Sequence, residues 1–117
     1  MKDQNTILLT DSYKLAHYMQ YPEDTQYVYS YFESRIGAKY DYTVFYGLQY
    51  LLQKYFEGIV VTQEMIDEAK QLIDIHMMDK NLFNIDGWQY ILDNHEGKLP
   101  VRIKAIPEGT PVSTNNV

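Results

Sequence analysis

Eleven of the twelve tyrosines in this 117-residue chain lie between Tyr13 and Tyr55. A tyrosine ring packs like a hydrocarbon, while its hydroxyl stays hydrated or finds a partner. A run this dense therefore demands surfaces that are half covered and half wet. Two readings satisfy it. The rings line amphipathic strand and helix faces, or they form a surface that meets a ligand or a second subunit, where tyrosine is enriched. Residues 26–34, Gln-Tyr-Val-Tyr-Ser-Tyr-Phe-Glu-Ser, have high strand propensity. Tyr27, Tyr29 and Tyr31 alternate with Val28, Ser30 and Phe32, so both faces carry bulk. That pattern predicts a strand covered on both sides.

Around this run the punctuation is helical. Residues 6–9 form a short strand or a lead-in segment. Thr10, Asp11 and Ser12 are good N-caps, and Leu15, Tyr18 and Met19 follow at helical spacing, so 12–20 is expected to be a short helix closed by Tyr21-Pro22. Residues 36–38 are a turn. Over 43–56, Val44, Leu48, Leu51, Leu52 and Tyr55 predict an amphipathic helix, with Gly58 just past its end as a left-handed cap. Residues 59–61 are a short extended link. Thr62 caps the next helix, whose apolar face is Met65, Ile66, Ala69, Leu72, Ile73 and a packed His76. Asp86 caps another helix bearing Trp88, Ile91 and Leu92, which stops near Gly97. Val101, Ile103 and Ala105 alternate with Arg102 and Lys104 as a half-buried strand. Residues 107–109 are a turn, and the tail from Ser113 has no core pattern. The fold class is α+β: three to four helices and two or more strands in one domain spanning 1–117.

Composition removes several functions. Lys plus Arg is 10 against 16 Asp plus Glu, a net charge of −6, and only Arg35 and Arg102 are arginines. A basic face for nucleic acid cannot be assembled, and an anionic membrane is disfavoured for the same reason. There is no cysteine, which removes disulfides, thiolate zinc sites and thiol catalysis and fits a cytoplasmic protein. Ile7 to Leu9 is too short an apolar run for a signal-peptide core or a membrane span. His17, His76 and His95 lie far apart, with no metal-binding spacing between them. Ser12 with Asp11 and His17 supplies the residue types of a nucleophilic triad, without a spacing that fixes its geometry. Asp67 and Asp74 belong to a solvated helix face. The glycines are isolated, so no phosphate-cradling loop is present. Arg35 follows the tyrosine-rich strand at the start of a glycine-containing loop. It forms either a surface salt bridge, as with Glu33, or a bidentate anion site.

Leu9-Thr10-Asp11-Ser12-Tyr13-Lys14, with His17-Tyr18 and Gln20-Tyr21-Pro22, resembles the N-terminus of the nicotinamide phosphoribosyltransferase family. The likeness continues through Val28-Tyr29-Ser30-Tyr31-Phe32-Glu33-Ser34-Arg35 and Thr43-Val44-Phe45-Tyr46-Gly47-Leu48-Gln49-Tyr50. It resumes at Gly87-Trp88-Gln89-Tyr90-Ile91-Leu92 and ends with Leu99-Pro100, Ile103-Lys104-Ala105 and Pro107-Glu108-Gly109. The stretch 60–83 matches in pattern more than identity and is scaffold. The loop at 36–39 is more compact than in some members.

The resemblance implies the N-terminal part of a larger type II phosphoribosyltransferase fold, whose barrel and catalytic core lie outside this chain. It implies a glycosyltransferase of the pentosyl class, a homodimer with active sites between subunits. Such an enzyme moves phosphoribosyl from phosphoribosyl pyrophosphate to nicotinamide, giving nicotinamide mononucleotide for NAD salvage with help from magnesium. By the same resemblance, Tyr13 reaches into the partner's site to stack on nicotinamide, and Arg35 holds donor phosphate. Asp11 orients Tyr13 as an N-cap, while Lys14 and His17 carry no assigned role. No metal site and no transferase activity are expected of the chain alone. The competing readings are a stand-alone tyrosine-rich interaction module and the N-terminal region of a nicotinate phosphoribosyltransferase. A surface left uncovered without the barrel would drive association of the chain.

Overall fold

Thr62 opens the longest helix as its side chain predicts: Oγ1 accepts from the Met65 amide at 3.3 Å. The computed structural model describes residues 4–117. Helix α2 spans Gln63–Met77, and Met78 closes it in a left-handed conformation. Its buried stripe is Ile66, Ala69 and Ile73. Helix α3 spans Ile85–His95. Asn84 caps it by accepting from the Gly87 amide at 3.1 Å, while Asp86, the expected cap, sits in the first turn. Asparagine caps from two positions further out, which leaves Asp86 to interact with the helix dipole.

The core lies between these helices. Ile7, Val60, Val61, Ile66, Ala69, Ile73 and Phe83 are buried, with Trp88, Ile91 and Leu92 of α3 packed against them. Each fully buried aliphatic side chain contributes roughly 1.5–3 kcal/mol. The extended link before α2 enters this core. The amides of Val60 and Val61 both donate to the Gly97 carbonyl, at 2.9 and 3.0 Å. A methyl group on Gly97 would meet the Val61 carbonyl oxygen, and its φ of +71° is a glycine conformation. Leu72 and His76, expected on the packed face of α2, are exposed. They lie toward the rim of a stripe only three residues wide.

The remaining elements are short. The segment expected as one helix over 12–20 is two 3₁₀ turns, Ser12–Lys14 and His17–Gln20, and residues 6–9 open with another, Thr6–Leu8, in place of a strand. A nucleus this short gains too few hydrogen bonds to propagate. The helix expected from residue 43 starts later. Strand β1 covers Tyr42–Val44, Gly47 breaks the chain at φ +98°, and α1 runs Leu48–Leu51 before a π-helical turn, Leu52–Phe56. Gly58 is left-handed as expected, at φ +74°. Strand β2, Pro111–Ser113, was not expected; it runs into the first residue of the patternless tail and pairs antiparallel with β1, Thr43 opposite Val112. The 107–109 turn feeds it, with the Thr110 amide donating to the Pro107 carbonyl at 3.3 Å. The Glu108 carboxylate accepts from the Gln49 amide at 2.9 Å, stabilising the start of α1.

Residues 26–34 form no strand; the Ser34 carbonyl accepts from the Asn115 amide, and Tyr27, Tyr29 and Phe32 are 92%, 95% and 93% exposed. The expected cover on both faces is absent among the described residues. Residues 101–105 likewise form no strand and are exposed, where a half-buried strand was expected. A backbone ladder needs a neighbour, and β1 with β2 is the one pair among the described residues. The total accessible surface is 9754 Å², against about 6,600 Å² for a compact monomer of this mass. Among the described residues, three α-helices, four short 3₁₀ or π-helical turns and a two-stranded sheet thus form a small α+β unit with much apolar surface uncovered.

Candidate functional site

Tyr13 stands on the 3₁₀ turn Ser12–Lys14, closed by Lys14 N–H to Asp11 C=O at 3.0 Å. Its ring is 66% exposed. It is held edge-on by His17, with centroids 5.7 Å apart at 64°, and by Lys14 Nζ 5.7 Å from the ring centre. Asp11 occupies the N-cap position, but its side chain makes no capping bond. It pairs with Lys14 at 3.3 Å instead. The Asp11 carbonyl thus closes the turn that carries Tyr13, while its side chain acts on the ring through the Lys14 ammonium. Asp11, Tyr13, Lys14 and His17 form one solvent-facing cluster.

The turn is fastened to α2 from behind. Ser12 Oγ and His76 Nε2 lie 2.8 Å apart across 64 residues. The hydroxyl donates when Nε2 is bare and accepts when it carries hydrogen. Further back, Asn5 Nδ2 donates to the Met65 carbonyl at 2.8 Å and to Glu68 Oε2 at 2.9 Å. Ile7 is buried between these two points.

Arg35 is exposed and makes no ion pair among the described residues, so the alternative of a bridge to Glu33 is not formed. Its neighbour Ser34 fixes it to the sheet. Ser34 Oγ bonds Thr43 Oγ1 at 3.1 Å, and its carbonyl accepts from the Asn115 amide at 2.7 Å. No hydrogen bond, ion pair or ring contact joins Arg35 to the Tyr13 cluster among the described residues.

An open apolar cleft of about 790 Å³ lies beside the Tyr13 turn, between the N-terminal turns, the π-helical turn and α3. Tyr18, Tyr55, Phe56, Phe83 and Trp88 line it, with Lys14 at hand. Tyr13, Asp11 and Arg35 lie outside it. A smaller cleft of about 230 Å³ holds Ser12 and His76 among Leu8, Leu15, Leu72 and Ile73.

Among the described residues, Lys54, Glu64 and Glu96 are shifted from their ordinary values. The Tyr50 hydroxyl first, and Tyr55 second, raise Lys54 above the usual ammonium range. Glu64 is lowered by its own amide and then by the Thr62 hydroxyl. Glu96 is lowered by its hydrogen bond to Lys98. No three His, Asp or Glu side chains converge as metal ligands among the described residues. The residues present therefore do not fit a magnesium site. No helix among the described residues is long and apolar enough to cross a membrane.

The Ser12–His76 pair has no counterpart in the sequence reading, which placed His76 in the core. Its position in the last turn of α2, one turn past Ile73, was the local signal that it could reach off the packed face. Nothing in the spacing identified Ser12 as its partner.

Residues 5–103 match the family model described as nicotinamide phosphoribosyltransferase, N-terminal domain. A nicotinamide phosphoribosyltransferase of Xanthomonas campestris is 46% identical over 113 residues, covering 97% of this chain and 23% of that protein. One of Acinetobacter baylyi is 31% identical over 123 residues, covering 93% and 24%. The chain spans about a quarter of the length of the curated relatives it matches. These matches favour neither a stand-alone module nor a nicotinate enzyme.

Proposed function

Because the chain belongs to the nicotinamide phosphoribosyltransferase family, matching its N-terminal domain, we propose that it serves an enzyme that joins nicotinamide to phosphoribosyl. In that reaction the pyridine nitrogen attacks the anomeric carbon of phosphoribosyl pyrophosphate. A carbon–nitrogen bond forms, the bond to pyrophosphate oxygen breaks, and nicotinamide mononucleotide leaves for NAD biosynthesis. Family membership over residues 5–103 carries this reading.

Within it, Tyr13 offers nicotinamide a stacking face. An electron-poor pyridine ring suits an aromatic side chain, and an exposed ring on a fastened turn can enter a partner subunit's site without first being ordered. Arg35 receives phosphate. An unpaired guanidinium on an anchored loop is free to accept an anion bidentately and to stabilise charge gathering on leaving pyrophosphate. Asp11 holds Lys14 against the Tyr13 ring. Residues 1–117 act as one domain of a homodimeric cytoplasmic enzyme. Magnesium would be held by residues outside this chain, and no step here runs through it.

Tyr13→Ala in an intact enzyme carrying this domain should raise KM for nicotinamide about tenfold, the upper range of an aromatic contact, while Tyr13→Phe stays near wild type. Unchanged nicotinamide kinetics in Tyr13→Ala would remove the stacking role. The 117-residue protein alone should show no transferase activity, and turnover by the pure chain would refute that.

A further inference from the structure

We infer that His76 is a positioning residue for nicotinamide: through Ser12 it fixes the orientation in which Tyr13 is presented. The inference rests on the proposed stacking role of Tyr13 and names the device behind it. The turn carrying Tyr13 is three residues long and too short to hold its own direction. Its contacts to Asp11, Lys14 and His17 are internal to residues 11–17 and move with it. Leu15 packs against the core, but an apolar contact sets depth better than rotation.

The Ser12–His76 hydrogen bond is directional and adjoins Tyr13 in the chain. Its other end is well founded. His76 lies in the last turn of α2, one turn beyond buried Ile73, on the helix whose stripe holds the core together. Rotation of the turn about its Leu15 contact would swing the Tyr13 ring, and the 2.8 Å bond opposes that rotation. Histidine at the rim of the packed stripe is exposed, so its removal leaves the core intact.

The test has two arms. In the 117-residue protein, amide hydrogen exchange reads the turn directly. His76→Ala should speed exchange at Lys14 and Leu15, whose amides close it, about fivefold, the size of one neutral hydrogen bond. Amides of Ile66 and Ala69 should be unchanged, and His76→Gln, which keeps a donor and an acceptor, should restore protection. In an intact enzyme, His76→Ala should raise KM for nicotinamide about fivefold with kcat preserved. His76→Gln should recover it, and Ser12→Ala should match His76→Ala without adding to it. Unchanged exchange at Lys14 and Leu15 overturns the inference, as does loss of protection throughout α2. If Tyr13→Ala raises KM and His76→Ala does not, positioning by His76 falls while the stacking role survives. If neither changes KM, both fall together.

Discussion

Residues 60–99 and residues 21–46 meet the same requirement, burying apolar side chains while satisfying the backbone, on opposite terms. The first region closes on itself. Two capped helices pack across a link whose amides end on Gly97, and six of the seven buried core residues lie there. The second holds eight tyrosines and phenylalanines between Tyr27 and Tyr46, none of them buried. The difference lies in where the hydrogen bonds go. A helix satisfies its backbone within its own segment and needs only one covered face, whereas an extended segment needs a neighbour on each edge as well as cover.

The comparison is tested hardest in the core. Ile66→Ala should cost about 2–5 kcal/mol, measured by urea unfolding of the 117-residue protein. Ile66 is fully buried and lies where α2, the Val60–Val61 link and α3 meet. A loss under about 1 kcal/mol would mean that the helical half does not carry the stability assigned to it.

The same asymmetry decided what was legible in the sequence. Thr62, the 3.6-residue period of Ile66, Ala69 and Ile73, and the Trp88–Leu92 stripe predicted α2 and α3, with the start of α2 at its observed cap and the cap of α3 two residues late, because caps and periodicity are local. The 26–34 alternation predicted a covered strand that does not form, because ladder and cover both come from tertiary contacts that a local pattern does not contain. Strand β2 escaped notice because Pro111-Val112-Ser113 is held by pairing with Tyr42–Val44, 69 residues away in register terms for Thr43 and Val112. Tyr13, Asp11 and Arg35 became candidates through family resemblance. Residue spacing alone left Arg35 between a salt bridge and an anion site. Ser12 and His76 could not have been paired from sequence, since the contact depends on α2 running beside the N-terminal turns.

Gly97→Ala should come next, at about 1–3 kcal/mol from backbone conformation with the steric conflict added. The methyl would meet the Val61 carbonyl, which is fixed backbone inside the core and cannot swing away. Gly37→Ala sharpens the comparison: its φ is +90°, but no atom lies within 4 Å of the added carbon, so it should cost less. Equal losses at the two glycines would show that the Gly97 packing contributes nothing beyond φ.

Thr62→Ala should cost about 1 kcal/mol through the lost cap of α2. It also changes the response to acid. Glu64 and Glu96 are held below their ordinary value of 4.5, by backbone amide with Thr62 hydroxyl and by Lys98 respectively. With folded values depressed, the unfolded chain takes up protons first. The stabilisation is fully present above 4.5 and is lost as pH falls through the folded values. Both carboxylates are exposed, so the change is small. Urea midpoints at about pH 6 and about pH 3.5 should fall less steeply for Thr62→Ala than for wild type, because one donor to Glu64 is gone.

The smallest effect on stability is expected where the side chains are largest. Tyr29→Ser and Phe32→Ser should each change the unfolding free energy by less than about 0.5 kcal/mol, because both rings already face solvent. What they should change is association. Exposed rings this closely spaced favour contacts between copies. Sedimentation of the 117-residue protein at high concentration should therefore show oligomers that shrink in the double variant. A loss above about 1.5 kcal/mol in dilute solution would place these rings in a monomer's core and erase the contrast between the two regions. A wild-type chain that stays strictly monomeric at high concentration would instead show that the exposed run is kept apart by the net charge of −6.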